Sequence, residues 1–276
     1  MNLTRRSFAL LTASAALAGV TVSAAPATAA SYHAVAVYYV GDTGTRAALY
    51  REWRGLPTTT APIRQAVDAM LHLAPRDPHY KSLWPRTTKI RGISVRDGVA
   101  KVDLTKEALQ GRAGAEFACA SLQQLVYTVT AASRGTVSRV QLMVEGRTAG
   151  VVSTFWGHGC GADKPMARRP GAYILAPVQI SSPLHNQKVG RSFTIRGEAT
   201  VFEATVSWSI IDVATGKVVR KGFRTASAGA PARGTWSVPV SLSSYYSGRR
   251  LKIKAWESSA RDGSVTNLDD KLVWVA

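Results

Sequence analysis

His158 and Cys160 are the residues whose types and spacing most suggest chemistry, because a single glycine separates them in the glycine-rich run GHGCG. A nearby imidazole can lower the pKa of a thiol and yield a thiolate, the form of cysteine that attacks substrates and binds metals. Structural zinc normally requires four ligands, and no second pair of ligands stands at suitable spacing in the sequence. The sequence therefore predicts no metal site and no cofactor site.

The run His158-Gly159-Cys160 resembles part of the active-site signature of L,D-transpeptidases, which are cell-wall enzymes that use a cysteine thiolate. The surrounding residues depart from that signature: Gly157 replaces its serine, and Gly161-Ala162 replaces its aliphatic-Arg pair. No upstream pattern of such a catalytic domain is recognisable. A cysteine-dependent wall enzyme therefore stays as an alternative, and the main hypothesis assigns no catalytic residue.

The N-terminus has the features of an export signal. Arg5 and Arg6 precede Ser-Phe and an apolar, alanine-rich stretch, which is the outline of a signal peptide. The arginine pair resembles the twin-arginine signal, and Ala27 and Ala29 supply the small residues that signal peptidase cleaves after; an ordinary secretory signal is the alternative. We expect residues 1–29 to be removed and the mature protein to be extracytoplasmic, either secreted or associated with the cell wall.

Cys119 and Cys160 are the two cysteines of the chain, and export would take them into an oxidising compartment. Cys119 borders the apolar face of a predicted helix, whereas Cys160 lies in a glycine-flanked loop. The pair is therefore a candidate disulfide, and two free thiols remain the alternative.

The chain is strongly basic, with a formal net charge of +18. The signal holds Arg5 and Arg6 and no acidic residue, so the mature protein keeps most of this charge. Outside the cytoplasm such a charge would attract acidic proteins, anionic lipids or wall polymers, although genomic base usage could also explain it. We expect an envelope protein or an anionic cell-wall polymer as partner, with no nucleic acid and no stable membrane insertion; the oligomeric state stays open.

The first half of the mature chain alternates strand and helix signals. Apolar runs and periodicities predict a strand, a helix after Pro62, a hairpin at Asp97-Gly98, a second helix over 115–131 and a last strand over 137–144. The order β-α-β-β-α-β predicts an α+β domain over residues 31–156, with the helices on one sheet.

These same segments carry a family resemblance. The phrases VAVYYVGDTG, PIRQAVDAMLHL, VRDGVAKVDLT and SLQQLVYTVT, with a closing VEG, are similar to the GerMN domain of sporulation and spore-germination proteins. The resemblance spans about residues 33–148. The family is regarded as non-enzymatic, and some of its members take part in envelope-spanning ring assembly. The resemblance therefore implies a structural or interaction role, with no catalytic residues to carry over.

The composition and periodicity of the chain change after this domain. Residues 157–172 are rich in glycine, proline and basic side chains and lack periodicity, which predicts a linker. Residues 173–276 contain seven short alternating runs, which predict an all-β immunoglobulin-like sandwich with tryptophans in its core. The phrases IRGEATVFEATVSWSIID and GTWSVPVSL resemble the immunoglobulin-like domain that accompanies spore-germination domains. Glu203, inside VFEATV, is a possible interaction residue, or it hydrogen-bonds backbone groups of an irregular strand.

The sequence thus predicts an exported, non-catalytic binding or assembly protein of the bacterial cell envelope, related to sporulation and spore-germination proteins. A binder of anionic wall polymers is the second hypothesis, and the cysteine-dependent wall enzyme is the third.

Overall fold

The structure is a computed structural model that describes residues 31–148 and 154–276. Within these residues the chain forms one compact unit made of an α+β part followed by an all-β part. The export residues Arg5, Arg6, Ala27 and Ala29 lie outside the described residues.

The α+β part contains seven strands and three helices. The strands are β1 (Tyr32–Asp42), β2 (Ala47–Pro57), β3 (Tyr80–Lys81), β4 (Ile90–Arg96), β5 (Val99–Leu104), β6 (Arg139–Val144) and β7 (Met166–Ala167). The helices are α1 (Pro62–His72), α2 (Ala115–Ala132) and the short α3 (Gly171–Ile174). One sheet has the order β2-β1-β3 and the other β4-β5-β6-β7, with β5 and β6 parallel.

Strand β1 is buried on both faces, which explains its unbroken run of apolar residues. Val35, Val37 and Tyr39 join the main core with α1 and α2. The alternate residues of β1 face a second cluster that includes Tyr127 of α2. Polar side chains of α2 bind the β1 backbone there: Gln124 Nε2 donates to the carbonyl oxygen of Tyr38 at 2.9 Å.

The all-β part is a sandwich of two sheets. Its strands are β8 (Val178–Ser182), β9 (Gln187–Val189), β10 (Ser192–Ala199), β11 (Thr205–Asp212), β12 (Val218–Thr225), β13 (Gly234–Ser241), β14 (Arg250–Ser258) and β15 (Val265–Val275). The sheet orders are β13-β10-β8 and β12-β11-β14-β15-β9. Alternate residues of both sheets enclose one core, in which Ile195, Trp236 and Ile253 are buried.

The α+β class and the sandwich are as predicted, with three differences in detail. Strand β2, which the sequence analysis treated as a loop, pairs with β1 along its whole length. The helices therefore pack on two sheets and not on one. Segment 157–172 contains β7, which pairs antiparallel with β6, and Ala162 and Met166 in it belong to the main core of the α+β part.

Candidate functional site

A buried charged cluster joins the two parts of the chain. Asp77 and Tyr80 come from the α+β part, whereas Asp269 and Lys271 come from β15 of the sandwich. The Lys271 ammonium donates to Asp77 Oδ2 at 2.6 Å and to Asp269 Oδ1 at 2.7 Å. Tyr80 donates its hydroxyl to Asp269 Oδ1 at 2.7 Å, and the Ile180 backbone N–H donates to Asp269 Oδ2 at 2.6 Å. Every charge in the cluster therefore has a partner.

Local structure fixes the α+β side of this cluster. Glu52 of β2 accepts hydrogen bonds from the backbone N–H groups of Arg76 and Asp77, which holds the loop after α1 against β2. Tyr80 stacks on Tyr50 with ring centroids 4.2 Å apart. Gly41 makes room for that stack, because a β-carbon at this position would lie 2.6 Å from the Tyr50 ring.

Burial and charge shift the pKa values in the cluster. Burial raises the pKa of Asp269 above its usual value, and the Lys271 ammonium opposes part of that rise. Burial disfavours the charged form of Lys271, yet the attraction of Asp269 and Asp77 outweighs it and raises the pKa of Lys271. His185, whose Nδ1 lies 3.7 Å from Asp77 Oδ2, has its pKa lowered by burial. The cluster is thus a hydrogen-bonded assembly of groups from both domains, which suits it to holding them together.

A second set of contacts lies between β2 and the sandwich. Arg51 of β2 forms an ion pair with Glu198 of β10, which also binds Arg233 at 3.1 Å. The side-chain amide of Gln179 both donates to the backbone carbonyl of Arg51, at 2.6 Å, and accepts from its N–H group, at 3.3 Å. Burial acts to raise the pKa of Glu198, but the two arginines outweigh burial and lower it.

The structure joins Cys119 and Cys160 in a disulfide with Cα atoms 5.2 Å apart. Cys119 lies in the second turn of α2, and the bridge ties the segment after β6 to that helix. His158, two residues before Cys160, donates one hydrogen bond from Nε2 to the carbonyl oxygen of Ala113 at 2.9 Å. A sulfur in a disulfide is not a nucleophilic thiolate. This arrangement therefore removes the residue on which the L,D-transpeptidase alternative depended.

Glu203 lies on an exposed 3-10 turn between β10 and β11, with φ at 50°. The carboxylate that binds backbone at this turn belongs to Glu257, whose Oε1 accepts the Phe202 N–H at 2.9 Å. The structure does not bring Glu203 to the charged cluster or to the Arg51 contacts.

Sequence reasoning missed the buried cluster, although one signal was available. Lys271 alternates with Val273 and Val275 along β15, and this spacing places all three on the inward face. A lysine at such a position needs a buried anionic partner, because an unpaired ammonium inside a protein is costly. No local pattern identifies Asp77 as that partner, since it lies in the other domain.

Within 31–148 and 154–276, no group of three or more His, Cys, Asp or Glu side chains has an arrangement that could hold a metal ion. In the same part of the chain, no helix combines the length and the apolar character needed to cross a membrane.

Comparisons with known proteins identify both parts of the chain. Residues 36–150 match the family model described as sporulation and spore germination, and residues 177–264 match the model described as the immunoglobulin-like domain of bacterial spore germination. A comparison with curated proteins found no match.

Two solved structures of GerMN domains are similar to about half of this chain. The tandem GerMN domains of the sporulation protein GerM from Bacillus subtilis match with a TM-score of 0.42 and 15% identity, covering 54% of this chain and 50% of that one. The first GerMN domain of the same protein matches with a TM-score of 0.38 and 16% identity, covering 49% of this chain and 94% of that one. This chain thus spans half of the tandem-domain structure. The family models confirm the resemblance found in the sequence: the chain contains a GerMN domain of the sporulation and spore-germination family, over residues 36–150, followed by an immunoglobulin-like spore-germination domain, over residues 177–264.

Proposed function

We propose that this protein is an exported, non-catalytic assembly protein of the bacterial cell envelope, which presents its two domains to a partner as one rigid surface. The observation that carries this proposal is the buried junction, in which Lys271 pairs with Asp77 and Asp269 across the two domains. A buried ion pair of this kind fixes a relative orientation, which is what an assembly component needs. Family membership supports the location, since GerMN and its companion domain are domains of sporulation and germination proteins.

Cross-linking in intact cells, followed by mass spectrometry, tests the partner. Recovery of one defined envelope protein, linked through residues of both domains, is the expected result. Recovery of many unrelated proteins in proportion to their abundance would contradict an assembly role.

Cell fractionation tests the location. Replacing Arg5 and Arg6 together by lysine should retain the precursor in the cytoplasm, because the twin-arginine receptor reads the guanidinium pair. A matched replacement of the exposed pair Arg147 and Arg191 by lysine should leave export unchanged. Normal secretion of the Arg5→Lys, Arg6→Lys variant would show that another export route is used.

A second candidate function, the binding of an anionic wall polymer, is favoured by the charge of +18 and by a concentration of arginines beside the junction.

A further inference from the structure

Three cavities of 460, 380 and 530 Å³ share lining residues in succession, from the GerMN domain to the immunoglobulin-like domain. We call these three cavities together the groove. The first and second share His33, Pro62, Ala132 and Arg134 in their walls. The second and third share Arg51, the residue that binds Glu198 across the junction.

The walls of this groove are strongly basic. They contain six arginines: Arg51, Arg64, Arg134, Arg168, Arg196 and Arg224. One acidic residue, Glu198, lines the groove within the described residues, and it is already paired with Arg51 and Arg233. A concave surface with one sign of charge raises the local concentration of counter-charged ligands.

Some of these guanidinium groups are held in place. Arg168 donates from Nε to Thr130 Oγ1 at 2.7 Å, and its guanidinium carbon lies 4.5 Å from the centroid of the Tyr127 ring. Arg51 lies over Trp53, with its guanidinium carbon 5.0 Å from the ring centroid. A fixed guanidinium loses little conformational entropy when it binds an anion, so Arg168 favours binding, whereas the charge of Arg51 is already paired with Glu198.

The uncharged lining indicates the chemistry of the ligand. Thr58, Thr59 and Thr60 line the first cavity, and Ser227, Thr235 and Ser237 line the third. Hydroxyl groups both donate and accept hydrogen bonds, which suits the hydroxyls of a sugar or polyol. Trp53 lines the middle cavity with 44% of its surface exposed and offers a flat apolar face to carbon-bound hydrogens.

We propose that this groove binds a linear, phosphodiester-linked polyol polymer of the cell wall, with successive phosphates on arginines of both domains. A phosphate takes two parallel hydrogen bonds from one guanidinium, which suits a groove lined by arginine. A bilayer is flat and does not enter a concave groove. The inference rests on the proposed location outside the cytoplasm, where such polymers occur.

The test measures binding of a synthetic, fluorescently labelled oligo(glycerol phosphate) to the exported chain, by fluorescence anisotropy over a range of NaCl concentrations. The groove variant is Arg134→Gln with Arg224→Gln, one exposed arginine from each domain. The matched control is Arg147→Gln with Arg191→Gln, which removes the same charge from exposed positions outside the groove.

Loss of two phosphate contacts should weaken binding on the order of tenfold at 0.15 M NaCl and lower the salt slope by about 1.4, because each contact releases about 0.7 counterion from a flexible polyanion. The control should stay within about twofold of the wild type. Trp53→Leu should weaken binding with the salt slope unchanged, since no charge is lost. Near-ultraviolet circular dichroism confirms that each variant is folded.

Equal weakening in the control variant would show diffuse charge attraction and overturn the proposal. So would equal affinity for polyglutamate of the same charge, or tighter binding to phosphatidylglycerol vesicles. Cell fractionation decides the location independently of these titrations, so failure of the groove and failure of the proposed function give different results.

Discussion

Lys271→Met should weaken the coupling between the two domains, because it removes the cation that pairs with Asp77 and Asp269 across the junction. Lys271 and Asp269 are each 3% exposed, and Asp77 is 1% exposed. Removing one partner of a buried ion pair costs about 3 to 5 kcal/mol, mainly because the other charge stays buried without compensation. We therefore expect that loss in the free energy of unfolding at pH 7, together with two separate unfolding transitions.

The free energy of unfolding lost in Lys271→Met should be smaller at lower pH. Burial already raises the pKa of Asp269, and without the Lys271 ammonium to oppose burial the pKa should rise further. The folded variant then binds a proton that the unfolded chain does not hold, so its stability rises as pH falls, by up to about 1.4 kcal/mol per pH unit. Adding Asp77→Asn to the variant should recover stability at pH 7 by removing one uncompensated charge.

Urea unfolding at pH 7 and pH 5, followed by tryptophan fluorescence and circular dichroism, measures both effects. Lys252→Met is the matched control, because the Lys252 ammonium lies 3.7 Å from Asp270 Oδ2 in a partly exposed pair. Such surface pairs contribute about 0 to 1 kcal/mol. If Lys271→Met costs no more than Lys252→Met, or if its cost is the same at both pH values, the cluster does not hold the domains as argued.

Three other predictions concern the disulfide, a packed glycine and alkaline pH. Intact-mass measurement of the unreduced, denatured secreted protein should show no uptake of an alkylating reagent, and two alkylated thiols would contradict the bridge. Cys119→Ala should lower the free energy of unfolding by about 4 kcal/mol, the chain-entropy estimate for a separation of 41 residues. Gly197→Ala should cost about 2 to 3 kcal/mol in thermal unfolding, because its β-carbon would lie 2.2 Å from a backbone oxygen, whereas Gly92→Ala, with open space around it, should change stability by less than about 1 kcal/mol. Burial raises the pKa of Tyr39 from 10.0 to about 12, so the folded state keeps the phenolic proton longer and stability should fall as pH rises above 10; melting temperatures that stay constant from pH 9 to 12 would refute this.

Local periodicity predicted most elements because burial on one face repeats at a fixed spacing. The two long helices, the hairpin at Asp97-Gly98 and the seven longest strands of the sandwich all follow from such spacing. The sequence analysis did not predict strand β2, because Arg51, Glu52 and Arg54 interrupt its apolar pattern. Arg51 and Glu52 bind partners distant in sequence, so no local pattern shows that the segment is a strand.

The tryptophans of the sandwich also show that local periodicity does not determine every position. Trp236 is buried in the core as predicted, whereas Trp274 is 42% exposed on the outer face of β15. Both lie in alternating runs, and the face that each occupies depends on register. The register of β15 follows from Lys271, Val273 and Val275 pointing inward, which places Trp274 outward. The burial of Val273 and Val275 on either side of Trp274 therefore places this tryptophan on the outer face.

Arg51 connects the junction to the groove, because it binds Gln179 and Glu198 across the domains and also lines two of the cavities. A polymer that contacts Arg134 and Arg224 together needs the two domains in one fixed orientation. If the domains moved freely, binding would first have to order them, and part of the affinity would be lost to that ordering. Lys271→Met should therefore weaken binding of the oligo(glycerol phosphate) under conditions where both domains remain folded, although every groove arginine is still present. Unchanged affinity in that variant would mean that each domain binds the polymer alone.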